Sequence, residues 1–218
     1  MDLHLSGKRV LITGASKGIG AATAAAFAEE GCDVRLVARS AGALGELAGR
    51  LSRAHNIEAT AHPADLRKGE DIQRLAAEVE DVDILVNNAG DIPGGPLEAI
   101  DEATWRHAWE LKVFGYINLC RVYLARMKAR GSGVIVNVIG SAGERFDANY
   151  ITGAAGNAAL MSFTRALGGR SLDHGVRVVA INPGPVETDR IVTLMKTRAA
   201  AQFGDENRYP ELMARYPL

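Results

Sequence analysis

The chain has 218 residues, 47% of them hydrophobic, which suits one domain with a sizeable buried core, and no stretch reads as a linker. Its 25 basic and 26 acidic residues nearly cancel to a formal charge of −1, and no run of Lys and Arg forms a stripe for a phosphate backbone, which argues against nucleic acid as a partner. The opening Met1-Asp2-Leu3-His4-Leu5 has no basic region ahead of a long apolar stretch, and no apolar run is long enough to span a bilayer, so a cytoplasmic protein with no membrane partner is expected. Cys32 and Cys120 stand alone in apolar surroundings and read as buried thiols. The histidines His4, His55, His62, His107 and His174 show no ligand spacing, so no metal is implied.

Short β-branched runs alternate with longer amphipathic or alanine-rich ones, as when crossover helices join parallel strands. The expected strands are Arg9–Thr13, Val34–Ala38, Glu58–His62, Ile84–Asn87, Val134–Val138 and Arg177–Asn182. The expected helices are Ile19–Glu30, Ala41–His55, Gly69–Glu80, Thr104–Arg130 and Thr152–Leu172, with a further helix at Ile191–Phe203. This is an α/β fold with a doubly wound parallel sheet, in which a ligand binds beyond the carboxyl ends of the strands.

The first strand runs into Thr13-Gly14-Ala15-Ser16-Lys17-Gly18-Ile19-Gly20. Gly14, Gly18 and Gly20 remove side chains where strand turns into helix, so backbone N–H groups and the positive helix end can face a pyrophosphate. Glycine clusters also mark ordinary tight turns; here the flanking strand, helix and second strand supply a βαβ context that favours a dinucleotide. The second strand ends in Arg39-Ser40. The planar fork of Arg39 suits a 2′-phosphate and Lys17 adds a second charge, so NADP (NADPH) is favoured over NAD, the alternative being two solvated surface cations. After the third strand, Asp65-Leu66 offers a carboxylate to an adenine amino group, or else a helix cap. Asn87-Asn88-Ala89-Gly90 closes the fourth strand, with amides able to tie neighbouring strand ends and small residues that leave room for a cofactor. The sixth strand runs into Asn182-Pro183-Gly184-Pro185-Val186-Glu187-Thr188, a rigid turn suited to holding donors against a nicotinamide carboxamide.

Taken in order, Thr13-Gly14-x-x-x-Gly18-x-Gly20, Asp65, Asn87-Asn88-Ala89-Gly90, Ser141 and Pro183-Gly184-x-Val186-x-Thr188 resemble the short-chain dehydrogenase/reductase family across essentially the whole length. The resemblance implies NAD(P) bound on a Rossmann-type, three-layer αβα single domain. It also implies a homodimer or homotetramer, and interconversion of small-molecule carbonyls and alcohols. The family's usual catalytic set is an Asn, a Ser, and a Tyr followed four residues later by a Lys. Matching the helices places Lys112 at the Asn position, Ser141 at the Ser, Gly153 at the Tyr and Asn157 at the Lys, which makes this an atypical member with a divergent Tyr/Lys motif.

A phenol near its ordinary pKa of about 10 is a poor base at neutral pH and needs a nearby cation. At about 4 Å and an effective dielectric of about 20, such a charge is worth on the order of 4 kcal/mol. Tyr150 lies three residues before Gly153, on nearly the same face of a helix begun there. The expected site is therefore rearranged: Tyr150 carries the substrate proton, Ser141 hydrogen-bonds the substrate oxygen, Lys112 supplies the charge, and Asn157 holds ribose or water. The plainer alternative makes Tyr150 a loop aromatic and Lys112 a helix-face cation.

The small residues Gly153-Ala154-Ala155-Gly156-Asn157-Ala158-Ala159 suit close helix approach, between subunits or inside one. Residues 1–190 are expected to form the dinucleotide-binding domain carrying the catalytic site, and 191–218 a substrate lid with an incomplete C-terminus, since the family continues through another helix and strand. If so, the sixth strand lies at a sheet edge. Two functions follow: an NADP-dependent oxidoreductase interconverting a carbonyl and a secondary alcohol, or a non-catalytic NAD(P)-binding sensor or scaffold of the same fold.

Overall fold

The computed structural model describes residues 3–214. Six parallel strands form one sheet: β1 (Arg9–Thr13), β2 (Asp33–Ala38), β3 (Ala59–Pro63), β4 (Ile84–Asn87), β5 (Gly133–Val138) and β6 (Val176–Ile181), in the spatial order β3-β2-β1-β4-β5-β6. The expected strands are all present, with ends shifted by a residue or two. The chain winds outward from β1 to β3, then returns to lay β4 against β1, pairing Val10 with Ile84 and Ile12 with Val86. The strand order therefore reverses between β1 and β4, at the carboxyl end where the glycine turn begins.

Period-two alternation divides the core between two faces. Val10, Ile12, Val34 and Leu36 pack against α1 (Gly18–Glu29) and α2 (Ala41–His55) through Ala24, Ala28, Leu44, Leu47 and Leu51. On the other face Leu11, Leu85 and Ile135 meet α3 (Gly69–Glu78) and the long helix before β5 through Ile72, Leu75, Leu119, Tyr123 and Met127. The inward row of α1 is Gly20, Ala24 and Ala28, small residues that let the helix lie close to the sheet. Helix α2 ends at Asn56 in the left-handed region with Arg53 in its last turn, where a cation complements the helix dipole. Cys32 and Cys120 are both buried free thiols, and burial pushes them up to about 11 and about 12.

The expected single helix over 104–130 is instead three pieces: α4 (Glu102–Trp109), a π-helical turn (Glu110–Phe114) and α5 (Gly115–Arg130). The Asp101 carboxylate caps α4 by accepting from Thr104 N at 2.7 Å. The wide turn carries Lys112 between buried Leu111 and Val113. A π turn costs regular hydrogen bonding and leaves no mark in hydrophobic periodicity, so the sequence reads through it as plain helix.

Helix α6 (Ile151–Ser171) precedes β6, and α7 (Asp189–Phe203) and α8 (Tyr209–Met213) follow it. The last two share a small cluster of their own around Ile191, Met195, Ala199 and Leu212. They are tied to the rest by an Arg198–Asp147 ion pair and by Leu194 lying over Gly94, where a Cβ would come within 2.8 Å of Leu194 Cδ1. Strand β6 is the last strand in the sheet order, and Val179 and Ile181 are half exposed. The final residues of the expected lid, 215–218, lie outside the described part. Among the described residues no helix is long and apolar enough to cross a membrane.

Candidate active site

Three strand ends are bolted together at the switch point. The Thr13 hydroxyl accepts from Asn88 N at 2.9 Å and Ala89 N at 3.0 Å, and Asn88 Nδ2 donates to Thr13 O at 3.0 Å. One layer further, Asn87 Nδ2 donates to Asn137 Oδ1 and Asn137 Nδ2 to Thr164 Oγ1, each at 2.9 Å, which joins β4, β5 and α6 through buried amides.

This close approach explains two glycines of the turn. At Gly14 (φ 65°) a Cβ would lie 2.9 Å from Ala89 Cα, and at Gly20 it would lie 2.6 Å from Asn88 Nδ2. Gly18 has φ 56°, and a Cβ there would lie 3.5 Å from Thr188 Cγ2, so the first turn and the turn after β6 face each other. No side chain caps α1, whose N-cap is the extended Lys17, and Ser16, Gly18 and Ile19 are partly or fully accessible. An uncapped helix start beside a glycine cradle fits a dinucleotide's diphosphate.

Around this cradle, Arg39 and Ser40 are exposed beyond β2, and Arg39 Nη2 is 4.0 Å from Asp91 Oδ2. Asp65 does not cap α3, whose N-cap is Lys68. It accepts instead from Arg67 Nε and Nη2, both at 2.9 Å. Burial alone would raise the Asp65 carboxyl, but the paired Arg67 bonds outweigh it and hold the group below its ordinary value. The Leu66 side chain is buried in the core, so only its backbone is offered to a ligand. Pro183 O accepts from Ser141 N at 2.9 Å, Gly184 stands in open space and Val186 is exposed. Thr188 is the N-cap of α7 and donates its hydroxyl to Val186 O at 3.3 Å.

Three of the four expected catalytic residues converge on Ile139-Gly140-Ser141, just past β5. Lys112 Nζ donates to Ile139 O at 2.6 Å, with its stem on Gly90, where a Cβ would lie 3.0 Å from Lys112 Cδ. Asn157 Nδ2 lies 3.1 Å from where a Cβ at Gly140 would stand. Ser141 opens a short 3-10 turn. Lys112 keeps some accessible surface yet sits deep in protein; desolvation, and after it the like charge of Arg190, pulls its ammonium down from 10.5 to about 7. Among the described residues the buried Asn157 Oδ1 and Thr152 Oγ1 atoms find no hydrogen-bond partner.

Tyr150, the fourth, is the N-cap of α6 and its ring folds over Gly153, whose missing side chain makes the room. A Cβ at Gly153 would lie 2.6 Å from the Tyr150 hydroxyl and closer still to the ring. That hydroxyl is partnered by Arg190 rather than Lys112: Arg190 Nη2 donates to it at 3.2 Å and to Ile92 O at 3.0 Å. Arg190, Asp91 and the carbonyls of Ile92 and Ile139 are site groups that motif matching passes over, because their contacts are set by the path of the backbone.

A parallel sheet reversing at β1/β4, with a glycine turn and a ring of polar side chains at that point, defines a Rossmann-type αβα protein. Residues 8–199 match the short chain dehydrogenase family, and the chain belongs to it. It is 36% identical over 194 residues to galactitol 2-dehydrogenase (L-tagatose-forming) of Cereibacter sphaeroides, covering 85% of this chain and 74% of that protein. Among solved structures it is similar to L-sorbose reductase of Gluconobacter frateurii complexed with NADPH and L-sorbose, with TM-score 0.87, 31% identity, and coverage of 96% of this chain and 81% of that one. A short-chain dehydrogenase from Sphingobium yanoikuyae in complex with NADPH gives TM-score 0.80, 30% identity, and coverage of 84% and 72%. Family and relatives make this chain a dehydrogenase/reductase.

Proposed function

We propose that the protein is an NADP(H)-dependent oxidoreductase interconverting a small carbonyl compound and a secondary alcohol. The observation that carries this reading is the placement of Lys112, Asn157 and Ser141 around residues 139–141, with Tyr150 at the N-cap of α6 and the glycine cradle at the adjoining strand ends. NADPH bound to relatives of this fold supports the choice of nucleotide, as does the exposed fork of Arg39.

The cradle of Gly14, Ser16, Lys17, Gly18, Ile19 and Gly20 would hold the diphosphate. Arg39 and Ser40, aided by Lys17, would take the 2′-phosphate, and Asp65 and Leu66 would meet the adenine. Asn88, Ala89 and Gly90 would line the ribose side, while Pro183, Gly184, Val186 and Thr188 would hold the carboxamide. Bound there, the nucleotide would supply the hydride that reduces the carbonyl carbon. Ser141 hydrogen-bonds the carbonyl oxygen, and Tyr150 gives that oxygen its proton, which solvent restores. Hydride and proton together account for the two electrons and two hydrogens of the alcohol. The Lys112 ammonium contributes positive charge, and the unpartnered Asn157 Oδ1 accepts from a ribose hydroxyl or a water. Gly153 and Asn157 stand where the family's Tyr and Lys are expected, so Tyr150 works from one turn earlier. Residues 191–218 act as a lid over the domain formed by 1–190, and the protein assembles as a homodimer or homotetramer in the cytoplasm.

The test is fluorescence titration with NADPH and NADH, followed by turnover of L-sorbose and a panel of ketones and aldehydes. Tighter NADPH binding that Arg39→Ala weakens is expected, with turnover that Tyr150→Phe abolishes at unchanged nucleotide affinity. NADPH binding without turnover of any panel member would favour a non-catalytic nucleotide-binding role. Stronger binding of NADH would overturn the nucleotide assignment.

A further inference from the structure

We propose that Arg190, at the start of the lid helix, is a positioning residue that orients the Tyr150 hydroxyl. The inference deepens the reading above and rests on Tyr150 being the proton carrier. Tyr150 and Arg190 are 40 residues apart in sequence, and Arg190 Nη2 donates to the hydroxyl at 3.2 Å while also donating to Ile92 O at 3.0 Å. Its Nη1 faces Asp91 Oδ1 at 3.7 Å, and Asp91 is shared with Arg39. The guanidinium is thus held from the β4 side by a carbonyl and a carboxylate, and Nη2 divides its donors between Ile92 O and the phenol.

A guanidinium stays protonated at any working pH and only donates. When it donates to a phenol oxygen, it occupies a lone pair there and leaves the O–H directed elsewhere, free to be given to a substrate oxygen. The rest of Tyr150 is already fixed: its N–H donates to Asp147 O at 3.0 Å, its backbone bridges Gly95, and its ring fills the space over Gly153. Lys112 spends its short bond on Ile139 O, so it does not set the direction of this hydroxyl. Because Arg190 is the second residue of α7, the helix that continues into the lid, the same contact joins the root of the lid to the proton carrier. Proton transfer then becomes competent when the lid is seated.

The experiment labels the protein with 3-fluorotyrosine and assigns the Tyr150 ¹⁹F resonance by its loss in Tyr150→Phe, without nucleotide. Arg190→Ala should shift the Tyr150 resonance while the other tyrosine signals stay in place, and added methylguanidinium should return it. Arg190→Lys should give an intermediate position. On whichever carbonyl the wild-type protein reduces, kcat of Arg190→Ala should fall roughly a hundredfold, the loss expected of a misplaced reacting group, with KM for NADPH little changed. An unmoved Tyr150 resonance in Arg190→Ala overturns the proposal, and so does a shift that methylguanidinium does not reverse. Failure of the catalytic reading is seen separately, as retained turnover in Tyr150→Phe or its absence in the wild-type protein.

Discussion

Lys112 combines depth with the lack of a carboxylate partner among the described residues: its ammonium donates to a neutral carbonyl and feels Arg190 as a like charge. In the unfolded chain it titrates near 10.5 and in the fold at about 7, so between these values unfolding takes up a proton. The cost to stability is therefore complete below the folded value and fades as pH rises toward the unfolded one. Each tenfold change in proton affinity is worth about 1.4 kcal/mol, so Lys112→Met should be more stable than wild type by a few kcal/mol in mildly acidic buffer, with the gap closing in alkaline buffer when followed by urea melts. A gap that does not depend on pH would refute this. The same titration carries a functional expectation: turnover that uses the Lys112 charge should decline as pH rises through about 7, and Lys112→Met should lack that limb. The sequence presents Lys112 on a helix before β5, but its depression comes from burial and, after it, from Arg190, which lies far along the chain, and no local pattern encodes either.

Within α6, Gly153 and Gly156 show how one motif can be read two ways. Their lack of side chains is used inside the monomer, Gly153 under the Tyr150 ring and Gly156 against Trp109 and Val113, where a Cβ would come within 3.2 Å of Trp109 Nε1. Ala in place of an exposed interior helical Gly usually gains about 1 kcal/mol through propensity. Here that gain meets a clash with the Tyr150 ring, so Gly153→Ala should lower both the melting temperature and turnover, and a stabilised, active variant would contradict the packing described. In the first turn, Gly20→Ala should abolish NADPH binding, since its Cβ would displace Asn88 and the strand-end bonds that Asn88 makes. Titration of NADPH fluorescence checks this. The glycine turn, Asn87-Asn88 and the alternation of strands were legible because they are local patterns with period or spacing. The π turn at 110–114 was not, because helix periodicity continues through it and the change of pitch shows in the backbone, where Gly115 N donates to Glu110 O five residues back.

Across the whole molecule, α6 leaves Ala155, Ala159, Ser162 and Ala166 accessible, a smooth stripe of small residues, and Phe114 on the π turn before α5 is 45% exposed. A homo-oligomer formed through this face should become monomeric in Ala159→Arg, with light scattering after size exclusion as the measurement; an unchanged mass would place the contact elsewhere. The half-exposed Val179 and Ile181 on β6 are where a sheet edge was expected. The amino-acid order alone determined the doubly wound parallel sheet, the glycine cradle and the buried free thiols, since each follows from short-range periodicity, backbone freedom or solubility. Only the tertiary structure decided that Arg190 holds the Tyr150 hydroxyl, that Lys112 donates to Ile139 O, and that Asp65 is spent on Arg67 rather than on a helix cap. The Arg190 and Lys112 pairings depend on where distant strand ends and loops come to rest, the Asp65–Arg67 pairing on which of several local partners the loop after β3 presents, and a side chain's chemistry does not specify which partner the fold will bring within hydrogen-bonding distance of it.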